Sequence, residues 1–308
     1  MKKVFIDGKS GTTGLRIYER LADRADIELL TLSDDERRSP EARKRMLNAC
    51  DIAFLCLPDD AARESVSMIE NENTVVLDTS TAHRTNPDWT YGFPEIFEDG
   101  FEKVSKAKRI AVPGCHAGGF IALIAPLVKA GIVKPDARLC CHSLTGYSGG
   151  GKNMIAEYEA DEVDALLGAP RQYGIAQHHK HLPEMMAYTG LSKKPAFCPI
   201  VGDFYSGMEV TVPLFADEIN GTAQDVAETL KKAYPRGIVY FEENADEKGF
   251  LSAAKLSAKD KMEISVHGDG DVILLTARYD NLGKGASGAA IECMNIVLGV
   301  APETGLEL

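Results

Sequence analysis

Glycines at positions 8, 11 and 14 lie between a short apolar run and an amphipathic stretch. They constrain the fold of this chain more than any other feature. Residues 3–7 read as a buried strand, and Leu15, Tyr18 and Leu21 recur at helical spacing. In such a turn the first glycine lets the chain reverse, the second lets backbone amides approach a pyrophosphate, and the third allows close helix–strand packing. The helix N-terminus adds partial positive charge. The spacing is G-x-x-G-x-x-G rather than G-x-G-x-x-G, and an ordinary tight turn uses the same residue. The strand before it and the helix after it are what point to a nucleotide. The expected contacts on this turn are Gly8, Ser10, Gly11, Thr12, Thr13 and Gly14.

Strand and helix patterns then alternate. Strands are predicted at 27–32, 51–57, 74–78 and 109–112, with helices at 41–48, 60–70 and 117–130. Such repeats imply a parallel sheet covered on both faces. After residue 136 the strand patterns crowd together, at 138–145, 208–215, 262–267 and 271–279, with a helix at 224–233. That change suggests a mixed or antiparallel sheet with helices on one face. A last helix is predicted over 286–298. The fold class expected is α/β, a Rossmann-like parallel sheet domain plus an inserted α+β catalytic and dimerisation domain. Residues 1–116 are assigned to dinucleotide binding and 117–284 to catalysis, substrate binding and oligomerisation. Residues 285–308 are assigned to a helix returning to the first domain.

Composition limits the partners. The formal charge of −12, from 34 basic and 46 acidic residues, disfavours nucleic acid and anionic membranes, or serves only solubility. The apolar run at 4–6 is too short for a signal peptide or a membrane span. Seven cysteines, an odd number without metal-ligand spacing, suit a reduced cytoplasm.

The end of the second predicted strand bears on cofactor choice. Ser33, Arg37 and Arg38 suit the 2′-phosphate of NADP, whereas Asp34 and Asp35 suit the ribose of NAD, and a solvated loop would look the same. NADP(H) is the expectation. Pro58, at the end of the third strand, and Ser80, past the fourth, are further expected cofactor contacts.

Pro113-Gly114-Cys115-His116 precedes an apolar helix. A thiolate is the useful nucleophile, and a helix N-terminus favours it. The same amides could hold a tetrahedral oxyanion. Cys115 is therefore the candidate nucleophile, while Cys50, Cys56, Cys140 and Cys293 read as buried structural residues. Gln177-His178-His179-Lys180-His181 holds three of the seven histidines. It reads as a metal site, a solvated loop, or an acid/base with substrate contacts. No recognisable ligand set supports the metal. His181 ranks first as acid/base and His179 as a substrate ligand, since the two point the same way on an extended segment. Arg84 suits bidentate capture of an anion, or a surface ion pair. The glycine-rich run at 146–151, with Lys152, could cradle an anion. Asn281, ahead of Gly283-Lys284-Gly285, could reach a nicotinamide carboxamide.

Together these residues resemble N-acetyl-γ-glutamyl-phosphate reductase, within the aspartate-semialdehyde dehydrogenase superfamily, over nearly the whole chain. The likeness runs through the glycine turn, the segments at 80–84, 91–95, 113–115 and 143–152, His179-x-His181-x-Pro183-Glu184, and 281–288. It implies an NADP(H)-dependent reductase of an acyl phosphate, a dimer or tetramer, with Cys115 as nucleophile and His181 as acid/base. Arg84, Ser148, Gly149, His179 and Glu184 fall at substrate positions, and Lys284 and Gly285 join Asn281 at the cofactor. The family often carries tyrosine and threonine where this chain has His116 and Gly118. Aspartate-semialdehyde dehydrogenase, a carrier-linked glutamyl-phosphate reductase and a dinucleotide-sensing protein are the alternatives.

Overall fold

The computed structural model describes residues 1–33 and 35–308. Two compact units divide the chain. The first comprises Met1–Pro113 and Ala286–Leu306, the second Gly114–Gly285 and Glu307–Leu308.

In the first unit the chain runs β1 (Lys2–Asp7), α1 (Thr12–Leu21), β2 (Ile27–Leu30), α2 (Pro40–Ala49), β3 (Ile52–Leu55), α3 (Asp59–Ser67), β4 (Val75–Asp78), β5 (Thr90–Tyr91), α4 (Gly100–Lys106) and β6 (Arg109–Ala111). The six strands pair in parallel in the order β2-β1-β3-β4-β6-β5. Side chains alternate across this sheet, as the pleat requires. Val4, Ile6, Phe54, Val75 and Leu77 face one core with Ile17 and Leu21, while Phe5, Ala53, Leu55 and Val76 face another with Leu47 and Ala62. A parallel sheet buried on both faces needs helices on both.

The second unit runs α5 (Cys115–Lys129), β7 (Cys140–Gly146), α6 (Gly151–Tyr158), β8 (Arg171–Gln172), α7 (Leu182–Thr189), β9 (Ala196–Gly202), β10 (Met208–Phe215), α8 (Ala223–Ala233), β11 (Val239–Phe241), β12 (Met262–Gly268) and β13 (Val272–Tyr279). Its sheet is mixed, in the order β11-β12-β13-β10-β7-β9-β8. On β10 the residues Met208, Val210, Val212 and Leu214 are buried in strict alternation. Helix α5 is apolar on every side, so it is buried, and it packs on β10, β13, α7 and α8. A reciprocal Thr222–Asp225 cap starts α8.

The final helix, α9 (Gly288–Leu298), belongs to the first unit and supplies Ala289, Ala290, Ile291, Cys293 and Met294 to the first of its two cores.

Two expectations change. Helix α5 starts at Cys115 rather than at residue 117, because Gly114 is the extended residue that precedes the first turn. Cys56 and Cys140 are only partly buried, Cys56 because it lies just past the end of β3, and Cys140 because β7 turns Cys141 inward and leaves Cys140 and His142 on the other face. Among the described residues no helix is long and apolar enough to cross a membrane.

Candidate active site

In the first unit the glycine turn has the geometry that close backbone packing demands. Gly8 adopts φ +86°, and a Cβ there would lie 2.3 Å from the Cys56 carbonyl oxygen. A Cβ on Gly14 would lie 2.4 Å from the Gly8 carbonyl oxygen, so α1 starts directly against the turn. Gly11 precedes α1 in extended conformation without a side-chain cap. The Thr12 hydroxyl is buried and has no hydrogen-bond partner among the described residues. Uncapped amides and an unmatched hydroxyl at a helix N-terminus fit the phosphates of a dinucleotide. The turn is anchored from below. Asp7 ends β1 and accepts from Arg43 Nε (3.1 Å to Oδ2) and from Ser65 Oγ (2.8 Å), and Arg43 also donates to Ser65 Oγ at 2.6 Å.

The other first-unit candidates lie past strand ends. Ser33 and Arg37 are exposed after β2, and Ser33 donates to Glu36, which pairs with Arg45. Asp34 lies outside the described residues. Pro58 precedes α3. Ser80 is buried and donates to Asp78 Oδ2 at 2.8 Å. Arg84 is buried too, and donates to the carbonyls of Val112 (2.9 Å) and Thr79 (2.8 Å). At least two of its donors therefore tie the ends of β4 and β6.

In the second unit Cys115 is half-buried at the first position of α5. By geometry the first-turn amides have no acceptor within the helix and favour negative charge there. Three contacts hold this corner. The Glu184 carboxylate, buried on α7, accepts from Gly114 N–H at 2.8 Å. The Tyr279 hydroxyl donates to the Cys115 carbonyl at 2.5 Å and accepts from Gly119 N–H at 3.1 Å. Burial, and then the charge of Cys115, push that hydroxyl far above its ordinary range, so it stays neutral. Gly285 backs onto Cys115, since a Cβ on it would sit 3.1 Å from the Cys115 Cβ.

Neighbouring glycines on α5 behave oppositely. A Cβ at Gly119 would meet the Tyr279 hydroxyl at 2.5 Å, whereas one at Gly118 meets only Met262 Cε at 4.0 Å. Gly119→Ala should therefore cost about 1–3 kcal/mol through overpacking. Gly118→Ala should be neutral or stabilising by up to about 1 kcal/mol. Urea midpoints of the two variants check this, and equal midpoints would contradict it.

The histidine segment is a turn rather than a strand, because His181 takes helical dihedrals (φ −82°, ψ −15°) just ahead of α7. His179 and His181 nonetheless come together, with ring centroids 4.8 Å apart, and the His181 N–H donates to His179 Nδ1 at 3.2 Å. That bond leaves the His179 proton on Nε2. Burial, with Lys180 second, holds the His179 imidazole below its usual range. His181 is buried, while His178 and Lys180 are exposed. Gln177 fastens the turn to β9, since its amide donates to the Phe197 carbonyl (2.7 Å) and accepts from Phe197 N–H (2.9 Å). Among the described residues no group of three His, Cys, Asp or Glu side chains could hold a metal ion.

His116 does not follow Cys115 outward. Its ring is 3% exposed, bonded through Nδ1 to Ser143 Oγ and through Nε2 to the Tyr173 hydroxyl, both at 2.6 Å. Its ring centroid lies 5.6 Å from that of His181 and 5.9 Å from that of His179. Burial first, then His179, lower its pKa from 6.5 to about 3. Between those values the unfolded chain binds a proton that the folded chain refuses. His116 stabilisation is therefore complete above about pH 6.5 and is lost as pH falls toward 3. Stability measured by denaturant at successively lower pH should fall through this window, and His116→Asn should flatten the fall. An unchanged slope in that variant would contradict the assignment.

Ser148, Gly149 and Asn281 form a second group in this unit. Asn281 is buried, donates to Ser148 Oγ at 3.0 Å and accepts from Gly207 N–H at 2.9 Å. A Cβ on Gly149 would lie 3.4 Å from its amide nitrogen. Lys284 is buried in the tight turn 283–287. Ser143, Tyr173, Gln177 and Tyr279 were not among the expected site residues. Their roles come from tertiary contacts that no local pattern reveals.

A chain that carries a parallel doubly wound sheet with a glycine turn and also a mixed-sheet unit with a helix-mounted cysteine and a histidine turn has the make-up of a dinucleotide-dependent oxidoreductase. Comparisons with known proteins agree. The model for the semialdehyde dehydrogenase NAD binding domain matches residues 3–104, and that for the semialdehyde dehydrogenase dimerisation domain matches 115–281. N-acetyl-gamma-glutamyl-phosphate reductases of Brucella ovis and Brucella suis are 44% identical over 307 residues, covering 96% of this chain and 99% of each relative. Aspartate semialdehyde dehydrogenase II of Vibrio cholerae superposes with a TM-score of 0.73 over 97% of this chain and 98% of that one, at 17% identity. The Candida albicans aspartate semialdehyde dehydrogenase with NADP gives 0.66 at 16% identity, over 97% of this chain and 98% of that one. At such identity these structures share the fold alone. The chain belongs to the semialdehyde dehydrogenase family, among the N-acetyl-gamma-glutamyl-phosphate reductases. It is an oxidoreductase that works with a nicotinamide dinucleotide.

Proposed function

We propose that the protein reduces N-acetyl-γ-glutamyl phosphate to N-acetylglutamate 5-semialdehyde and phosphate, a step of arginine biosynthesis, with NADPH as reductant. The observation that carries this reading is Cys115 at the first position of a buried helix, with His181 buried in the turn that leads into the adjoining α7. The 44% identity to reductases of that name supports the substrate.

The Cys115 thiolate attacks the acyl carbon, a carbon–sulfur bond forms, the bond to the phosphoryl oxygen breaks, and inorganic phosphate leaves. The first-turn amides of α5 stabilise the oxyanion of that addition. Bound reduced dinucleotide supplies the hydride that brings the thioester carbon to the aldehyde level. His181 gives its proton to the carbonyl oxygen and takes it back as the carbon–sulfur bond breaks. His179, Ser148, Gly149 and Glu184 hold the substrate and Arg84 an anionic group, and Glu184 also fixes Gly114 in the turn that carries the nucleophile.

Gly8, Ser10, Gly11, Thr12, Thr13 and Gly14 hold the pyrophosphate. Pro58 and Ser80 line the same edge, Ser33 and Arg37 take a 2′-phosphate, and Asn281, Lys284 and Gly285 serve the nicotinamide end. The domain roles follow from this assignment, with residues 1–116 for the dinucleotide and 117–284 for substrate, catalysis and self-association. Seven free cysteines suit the reduced cytoplasm, and the dimerisation-domain match suits a homodimer or homotetramer.

The test runs the reaction backwards. N-acetylglutamate semialdehyde should reduce NADP only when phosphate is present, faster than NAD is reduced and faster than aspartate semialdehyde reacts. Equal rates with aspartate semialdehyde would replace the substrate assignment, and NADP binding without turnover would favour a sensor.

A further inference from the structure

His83 is the only histidine of the first unit, and it is held at one nitrogen and across one face. Asp78, fully buried at the end of β4, accepts from His83 Nδ1 at 2.7 Å, from Ser80 Oγ at 2.8 Å and from Ser80 N–H at 2.9 Å. The imidazole stacks on Trp89, with centroids 4.1 Å apart and planes 9° apart, and Trp89 belongs to the second core of the sheet. Ser80 and His83 both bond to the carboxylate and not to each other, so the three do not make a serine nucleophile with its base.

A carboxylate only accepts, so Nδ1 carries the proton, and in the neutral ring Nε2 is an acceptor. Among the described residues Nε2 has no hydrogen-bond partner, and it is not sealed from solvent. A side chain only 7% exposed, fixed by a buried carboxylate and a stacked indole, therefore keeps one lone pair open. The ring is ordered before any ligand arrives, so a donor that meets Nε2 does not have to fix it. The matching ligand group is a hydroxyl or an N–H, not a phosphate oxygen.

The sheet order selects the ligand group. In an open parallel sheet, ligands lie along the carboxyl ends of the strands. The strands run β2-β1-β3-β4, and the glycine turn follows β1. With the 2′-phosphate past β2 and the pyrophosphate on that turn, the nicotinamide nucleotide extends past β3 to β4, which stands about 10 Å from β1 at the usual strand spacing. His83 follows β4, and the ribose of that nucleotide offers hydroxyl donors. We propose that His83 is a dinucleotide-binding residue whose Nε2 accepts a hydrogen bond from a hydroxyl of the nicotinamide ribose. Asp78 and Trp89 are positioning residues behind it. The inference rests on the dinucleotide reading of the glycine turn.

The test is titration of the whole protein with NADPH, followed by its fluorescence, and with adenosine 2′,5′-bisphosphate, which carries only the other half. His83→Asn keeps an amide N–H for Asp78 and removes Nε2. It should raise the Kd for NADPH about fivefold to tenfold and leave that for the bisphosphate within about twofold. NADPH lacking the nicotinamide-ribose hydroxyls should bind wild type weaker by the same factor and lose nothing further in His83→Asn. A folded variant with an unmoved NADPH Kd, or one that loses both ligands equally, overturns the assignment and leaves the dinucleotide reading standing. Wild type that binds neither ligand overturns both. Two measurements on wild type need no variant. Equal affinity for NADPH and the deoxy analogue overturns the assignment, and so does nitrogen NMR that finds Nε2 protonated at neutral pH, whereas a bare Nε2 supports it.

Discussion

Cys115→Ser should lower kcat for reduction of the acyl phosphate by about 10⁴-fold or more, which is about 5 kcal/mol of barrier. Serine is close in size, so the corner built by Tyr279, Gly285 and Glu184 remains intact. The loss is chemical, because a neutral hydroxyl at a helix N-terminus is a far poorer nucleophile than a thiolate. Binding of NADP(H) should be unchanged, since the glycine turn belongs to another unit of the chain. Stopped-flow or steady-state rates with a parallel titration of dinucleotide fluorescence separate the two effects. Retention of more than about a tenth of the wild-type rate would remove the covalent route.

His181→Asn should lower kcat by about 10²–10³-fold, the usual range for a general acid–base. Asparagine suits the start of α7, and the backbone N–H that donates to His179 is retained, so the turn should survive. KM should change little, and Cys115 should still be alkylated and acylated, because in the proposed mechanism His181 acts on the carbonyl oxygen after sulfur has attacked. The acyl-enzyme should then accumulate during turnover. A His181→Asn protein with full kcat would transfer the acid role to another group. His179, whose Nδ1 already accepts from the backbone, is the nearest imidazole on the same turn.

Much of this site is legible in the sequence, for physical reasons that differ by residue. The glycine turn is visible because Gly8 and Gly14 sit where a Cβ would strike backbone, and no other residue type fits. Cys115 is visible because Pro-Gly ahead of an apolar run marks a helix start. The strands β1, β3, β4, β10 and β13 are visible because buried strands leave continuous or alternating apolar runs. The short strands β5, β8 and β11 carry too few residues to show a period, and α7 hides behind a histidine-rich turn. The inward path of His116 is illegible locally, because it depends on Ser143 and Tyr173, 27 and 57 residues away. Glu184 shows the same limit. Its motif suggests a substrate ligand, and its contact with Gly114 N–H, 70 residues away, is not visible locally.

The acyl group on sulfur is the claim on which every role above depends. Wild-type protein mixed with N-acetyl-γ-glutamyl phosphate in the absence of dinucleotide, quenched in acid and weighed intact, should gain one N-acetylglutamyl group per chain. Peptide mapping should put it on Cys115, and hydroxylamine should release it. Turnover of the same preparation with no adduct on Cys115, or with the adduct on another residue, would contradict the account.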